Sequence, residues 1–131
     1  MSELLVPADD EVALVDELKS RLGGQVGTAV PNPTPDEFVR VLSVGGVERD
    51  LVSDTFRLVV EGFALTEGRA RQLCALAIAH AQAAGRARSL GGVPCYGVGV
   101  EGLPGNLPLP TLPTHYRYTA TITADLRRVD G

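Results

Sequence analysis

Apolar residues recur at helical spacing in two segments of this chain. Residues 8–22 form the first segment, with acidic residues at its start and two glycines directly after it, as expected for a capped helix. Its apolar stripe comprises Val12, Val15, Leu18 and Leu22. Residues 66–84 form the second segment, which begins with Thr66 as an N-cap, presents mainly alanine on its apolar side and is followed by Gly85 as a stop. We therefore predict two amphipathic helices.

Four further segments have the period-two alternation or the β-branched composition of strands: residues 37–44, 51–64, 95–102 and 115–128. Glycine and charged residues at 45–50 predict a turn, and repeated prolines at 103–113 predict a rigid loop. The order of these elements predicts an α+β fold, with a mainly antiparallel, twisted sheet of about four to five strands and both helices packed on one face. Residues 1–131 are expected to form a single domain.

The last predicted strand has two chemically different faces. Its even positions, from Tyr116 to Leu126, are apolar, and its odd positions, from His115 to Arg127, are polar. One face is therefore expected to join the core and the other to meet water or a partner. The polar side chains are spread along the strand rather than converging on a point, as a catalytic site requires.

The charge of the chain is modest but unevenly placed. The formal net charge is −4, which argues against a general nucleic-acid binder, and we expect no direct nucleic-acid sequence recognition. Residues 1–65 carry twelve acidic and five basic side chains, whereas residues 66–131 carry four acidic and seven basic ones. This asymmetry either marks a partner or a head-to-tail assembly, or it is neutralised within one domain.

Residues 97–102, GVGVEG, match the glycine pattern of dinucleotide-binding loops. That pattern binds a pyrophosphate only where a helix follows it, and here a proline-rich loop follows. Cys74 and His80 lie about 240° apart around one predicted helix, so they cannot share a metal ion without a third element. We therefore predict no catalytic residue, no cofactor and no metal site, and interpret the glycines as allowing a bulge or a close approach of another backbone.

The remaining composition bears on location. Two cysteines, Cys74 and Cys95, are too few for a disulfide framework and are expected to be free thiols in a reducing compartment. The first residues lack the basic and apolar regions of a secretory signal. No apolar run is long enough to span a membrane, so no membrane association is expected.

Arginine outnumbers lysine by eleven to one, which either reflects a GC-rich coding bias or favours an interface, since guanidinium groups make bidentate contacts with partners. Arg57 and Arg117 lie mid-strand on polar faces and are expected to pair with Glu61 or Asp125, or to point at a neighbouring subunit. Arg86 and Arg88 lie in a predicted mobile connection. The candidate residues for an interface with another subunit or a partner protein are Arg57, Glu61, Arg86, Arg88, Arg117, Thr119, Thr121, Thr123 and Asp125.

Three stretches, VGTAVPNPTPDEFVRVLSVGG, TEGRARQL and RYTATITADLR, together with the element order, resemble the tail terminator proteins of long-tailed bacteriophages, especially those of actinobacterial phages. The resemblance implies an α+β fold and a homohexameric ring that caps the tail tube, ends its polymerisation and provides the head-joining surface. It implies the major tail tube protein and a head–tail connector protein as partners. It also implies a place in the virion tail after assembly in the host cytoplasm, with no cofactor and no enzymatic reaction.

Two other readings stay open on the sequence alone. Another ring-forming neck or tail component, such as a head–tail connector or a tube subunit, would have similar features. A small α+β enzyme or ligand-binding domain with a cleft between the sheet and the helices is the third possibility.

Overall fold

The computed structural model describes residues 4–131, and these residues contain two helices and eight strands. In chain order the elements are β1 (Leu5–Val6), α1 (Asp10–Leu22), β2 (Val26–Gly27), β3 (Phe38–Glu48), β4 (Ser53–Ala64), α2 (Glu67–Arg86), β5 (Ser89–Leu90), β6 (Val93–Asn106), β7 (Tyr116–Arg127) and β8 (Val129–Asp130).

The main sheet has the strand order β2-β3-β4-β7-β6-β5. Its pairs are antiparallel except for β2 with β3, which are parallel. The α+β class and the two helices are confirmed. The main sheet has six strands rather than four to five because the two-residue strands β2 and β5 extend the four long ones.

A separate two-stranded ribbon joins the two ends of the described chain. In it, β1 pairs antiparallel with β8, with Leu5 opposite Asp130 and Val6 opposite Val129. The Gly131 N–H extends the pairing by donating to the Leu4 carbonyl at 2.9 Å. The sequence analysis did not predict this ribbon.

Helix α1 is capped at both ends, as its sequence indicates. The Asp9 carboxylate accepts a hydrogen bond from the Val12 N–H at 3.1 Å, and Gly23 adopts a left-handed conformation with φ of 64°. The predicted apolar stripe was wrong in one residue, because Val12 is 53% exposed. Leu18 of the predicted stripe is fully buried, as is Leu14, which the spacing places beside that stripe.

Helix α2 begins after Thr66, whose hydroxyl accepts a hydrogen bond from the Arg69 N–H at 3.3 Å, as predicted. Gly85 does not end it, since the helix continues to Arg86. A Cβ atom at Gly85 would lie 2.8 Å from the Val98 nitrogen in β6. This glycine therefore allows the helix to touch the sheet rather than stopping it.

Two predicted loops are parts of strands. The predicted turn at 45–50 was wrong, because β3 continues to Glu48 across an irregularity between Ser43 and Gly46. Likewise β6 continues to Asn106, so the loop before β7 begins later than predicted. In both cases glycines in the sequence accommodate a local irregularity of the ladder without ending the strand.

The core lies between the two helices and one face of the sheet, and the predicted alternation of β7 is confirmed. Ala120, Ile122, Ala124 and Leu126 point into this core and are buried. Apolar side chains of the other strands and of both helices meet them there, and the fully buried ones include Leu14, Leu18, Val41, Leu58, Val60 and Leu90. The opposite face of the sheet, called the outer face below, is free of helices and carries most of the predicted interface residues.

Candidate interaction surface

The outer face is built from odd-numbered residues of β4 and β7 and from the glycine-rich strand β6. Its residues are Thr55, Arg57, Val59, Glu61, Gly97, Gly99, Glu101, Gly102, Gly105, Arg117, Thr119, Thr121, Thr123 and Asp125. The strand register brings together the predicted threonines, Arg57, Glu61, Arg117 and Asp125 on this one surface.

The threonine row of β7 lies between β4 and a row of glycines. Thr119 is opposite Gly105, Thr121 opposite Gly102, and Thr123 opposite Gly99. A Cβ atom at Gly97 or Gly105 would meet no atom within 4 Å, whereas one at Gly99 would lie 3.0 Å from the Thr123 Oγ1, so the space above β6 is open at Gly97 and Gly105. Because β6 presents almost no side chains here, the surface over β6 and β7 is nearly flat, and another backbone could approach it closely.

One bidentate ion pair crosses this flat region. The Arg57 guanidinium in β4 donates to the Glu101 carboxylate in β6 through Nε at 3.0 Å and through Nη2 at 3.2 Å, above the intervening strand β7. The two side chains are 54% and 43% exposed. An ion pair this exposed adds little stability, so it can exchange partners at low cost. The expected pairing of Arg57 with Glu61 or Asp125 was wrong, and the sequence analysis missed Glu101.

A buried charge cluster lies at the other end of the outer face. Glu61, which is only 3% exposed, accepts from the Arg40 Nε at 2.5 Å and from the Arg117 Nη1 at 2.8 Å. Arg117 also donates to the Leu107 carbonyl through Nε at 2.6 Å and to the Pro108 carbonyl through Nη2 at 3.5 Å. Arg117 is therefore bound within the chain, where it fixes the start of the proline-rich loop to the sheet.

Two phenylalanines form a second, smaller apolar cluster on the outer face. Phe38 and Phe63 stack with ring centroids 4.3 Å apart, and both are buried outside the main core. The His115 ring meets Phe38 edge-on at 5.9 Å, and its Nε2 lies 2.8 Å from the Pro35 carbonyl oxygen. The Arg40 guanidinium lies 5.6 Å from the centroid of the Phe63 ring. His115 thus links two proline-containing loops to the sheet.

Asp125 is held at the opposite end of the β7 polar row. Its Oδ1 accepts from the Thr55 hydroxyl at 2.5 Å, and its Oδ2 lies 3.8 Å from the Arg49 Nε. The Arg49 guanidinium in turn lies 5.0 Å from the centroid of the Tyr96 ring. The outer face is therefore fixed at both ends by contacts within the chain, while its centre is open.

Arg86 and Arg88 lie away from the outer face, at the far edge of β6. Arg86 is the last residue of α2 rather than part of a connection, which corrects the prediction. Arg88 has a positive φ of 67° and donates through Nη1 to the Tyr96 carbonyl at 3.5 Å. Both are exposed and line a groove of about 300 Å³ with Gln82, Tyr96 and Val98.

The cysteines are free, as predicted, and both are buried. Burial raises the pKa of the Cys74 thiol to about 12 and also raises the pKa of the Cys95 thiol. Both thiols are therefore protonated near neutral pH and are weak nucleophiles. Between residues 4 and 131, no cluster of three or more His, Cys, Asp or Glu side chains has the arrangement of a metal site. Neither of the two described helices is long and apolar enough to cross a bilayer.

The sequence of this chain matches no protein-family model, and no curated protein has a significantly similar sequence.

Proposed function

We propose that this chain is a structural virion protein, a tail terminator of a long-tailed bacteriophage. In this proposal it forms a homohexameric ring that caps the tail tube, ends tube polymerisation and provides the surface that joins the head. Its partners are further copies of itself, the major tail tube protein and a head–tail connector protein. It acts in the virion tail after assembly in the host cytoplasm.

The outer face is the observation that supports this proposal best. One face of the sheet is closed by two helices, whereas the centre of the other is flat, polar and open, with the Arg57–Glu101 pair above it. Flat polar surfaces with arginine suit protein contacts that are completed on assembly. The resemblance of the three quoted stretches and the α+β fold point the same way.

The decisive experiment adds the purified protein to polymerising tube subunits of the same phage. A terminator stops tube growth at amounts far below those of the tube subunit and remains at one tube end, which electron microscopy of tube lengths would show. A tube subunit would instead be incorporated along the tube, and an unrelated enzyme or ligand-binding domain would leave tube length unchanged. Either of these last two results would overturn the proposal.

A matched pair of variants tests the outer face itself. Thr121→Arg places a guanidinium on the flat centre of this face, whereas Ala79→Arg places the same group on the exposed side of α2. We expect Thr121→Arg to abolish growth arrest and Ala79→Arg to retain it, with both variants folded by circular dichroism. Full arrest by Thr121→Arg would remove the outer face from the proposal.

A further inference from the structure

Two strands of the main sheet have backbone edges that no other strand among residues 4–131 covers. On one side, β2 pairs with only two residues of β3, which leaves the outward edge of 43–48 without a strand partner, although the Ser43 N–H donates to the Glu11 carboxylate and the ladder to β4 is irregular between Ser43 and Gly46. On the other side, β5 pairs with only two residues of β6, which leaves 96–106 without one. Exposed strand edges are templates for pairing with another chain.

The two free stretches lie at the same height in the sheet. Residues 43–48 of β3 lie opposite 54–58 of β4. That segment of β4 lies opposite 122–126 of β7. The same part of β7 lies opposite 95–100 of β6. A second copy placed beside the sheet, with no displacement along the strands, therefore brings its β3 against this β6. Since strand direction alternates from β3 through β4 and β7 to β6, the two strands would meet antiparallel.

The exposed side chains and the ladder geometry favour this contact over general aggregation. Val44 and Val47 are exposed on the free stretch of β3. In β6, register irregularities on both sides leave only Gly97–Val100 in regular register with β7. Irregular edges discourage promiscuous pairing, so these limit pairing to a short segment.

The two edges also differ in charge. Between α1 and β2, Asp9, Glu11 and Asp16 line a groove of about 410 Å³ that contains one lysine, Lys19. The Glu11 carboxylate reaches β3 from there, accepting a hydrogen bond from the Ser43 N–H at 2.8 Å. We call these three acids and residues 43–48 the acidic edge. Beside β6, the groove of about 300 Å³ contains Arg86 and Arg88 and no acid. We call these two arginines and residues 95–100 the basic edge.

Among residues 4–131 the three acids and the two arginines of these grooves form no ion pairs, although Asp9 caps α1 and Glu11 accepts from the Ser43 N–H. Both helices pack on the same face of the sheet, so an edge-to-edge contact places the end of α2 of one copy beside α1 of the next.

We propose that the acidic edge of one subunit binds the basic edge of a second copy of this chain. Residues 43–48 of β3 pair antiparallel with 97–100 of β6, and Arg86 and Arg88 form ion pairs with the acidic groups of α1. The two surfaces differ, so the contact is heterologous and can repeat until a ring closes. This inference rests on the proposed function, because it assigns the subunit contact of the proposed ring.

Charge reversal on each edge tests the contact in the full-length protein. Arg86→Glu with Arg88→Glu makes the basic edge acidic, and Val12→Arg with Asp16→Arg makes the acidic edge basic while leaving the Asp9 cap intact. Each double variant alone should raise the dissociation constant for self-association at least about 100-fold, since like charges then face each other. Mass photometry and sedimentation velocity measure this. The matched controls are Arg71→Glu and Asp36→Arg, two exposed charges outside both edges, and they should behave as wild type.

Mixing the two double variants is the sharpest part of the test. In a ring of alternating variants every contact again joins opposite charges, so an equimolar mixture should recover an assembly with six times the 13.8 kDa mass of the chain. Raising the salt from about 0.1 M to 1 M, which shortens the Debye length from about 10 to 3 Å, should weaken it. Hydrogen exchange should slow in residues 43–48 and 95–100 on assembly.

Three results would overturn the inference. The first is a wild-type chain that stays monomeric at about 100 µM, a concentration at which a contact with a micromolar dissociation constant would be occupied. The second is normal self-association of the charge-reversed variants. The third is a mixture of the two variants that does not assemble although each variant is folded. The proposed function is judged separately by arrest of tube growth. If the chain arrests tube growth but the charge-reversed variants associate normally, the proposed function is retained and this contact is rejected. If the mixture of variants recovers the assembly but the chain does not arrest tube growth, the contact is retained and the proposed function is rejected.

Discussion

Replacing Glu61 should destabilise the fold far more than replacing the similar carboxylate of Glu101. Glu61 is almost fully buried and accepts charge-assisted hydrogen bonds from Arg40 and Arg117. Glu61→Gln keeps the shape and one acceptor oxygen but removes the negative charge between two guanidinium groups. Breaking a buried pair from one side costs about 3–5 kcal/mol. Glu101→Gln breaks only an exposed pair and should cost less than about 1 kcal/mol.

The magnitude can be followed in thermal unfolding. For a chain of this length, 1 kcal/mol corresponds to roughly 4 °C in Tm, so Glu61→Gln should lower Tm by roughly 12–20 °C and Glu101→Gln by less than about 4 °C. Removing the second partner as well should recover part of the loss. We therefore expect the double variant Glu61→Gln with Arg117→Met to be less destabilised than the sum of its single variants.

Hydrogen exchange would locate the effect. Arg117 joins Glu61 to the carbonyls of Leu107 and Pro108, so amide exchange in residues 107–115 should accelerate in Glu61→Gln at temperatures below global unfolding. Equal destabilisation by Glu61→Gln and Glu101→Gln, or additive single and double variants, would refute the assignment of Glu61 as the centre of a buried charge cluster.

Three further predictions concern the helices. Gly85→Ala should lower the unfolding free energy by about 1–3 kcal/mol in urea denaturation, because its Cβ would press on the Val98 nitrogen. Gly68→Ala, which has open space around its Cβ, should instead stabilise α2 by about 0.5–1 kcal/mol. A change of unfolding free energy with the same sign in both variants would contradict the packing of Gly85 against β6. Burial raises the pKa of Asp10, so its favourable contribution to the free energy of unfolding is present below the ordinary value of 3.8 and is lost as pH rises through the raised pKa. Asp10→Asn should therefore be more stable than wild type at pH 7, and this difference should vanish in acid. A difference in unfolding free energy that stays constant across pH would contradict this. Cys74, with its pKa near 12, should react with a disulfide reagent only on unfolding, and rapid labelling of the native chain would refute its burial.

Local signals predicted the parts of the fold that depend on neighbouring residues. Both ends of α1, the Thr66 N-cap of α2 and the alternation of β7 follow from side chains a few positions apart, and the structure confirms them, whereas Gly85 does not end α2. The strand extensions across 45–46 and 103–106 were missed because glycine and proline indicate turns locally, whereas pairing with β4 and β7 retains these residues in strands. In both strands, pairing with a strand distant in sequence outweighed the local preference for a turn.

The candidate surface was partly predictable for the same reason. Alternation placed Arg117 and the threonines of β7 on one polar face, and the structure confirms that placement. The expected pairing of Arg117 with Glu61 is confirmed. The other partners could not be read from the sequence, because Glu101 reaches Arg57 only through a register of three strands and Arg40 reaches Glu61 across the β3–β4 pair. The alternating glycines of 97–102 were the one available signal for the flat strip, and they were interpreted as permitting close approach.

The ribbon of β1 and β8 has a practical consequence for engineering. Residues 4 and 131 are hydrogen-bonded to each other, so a short flexible linker could join them without disturbing either strand. New ends could then be opened in the exposed turn at 49–52 between β3 and β4. Such a circular permutant would carry a fluorophore or a fusion partner at the opposite end of the sheet from the proline-rich loop, and both versions would share one core.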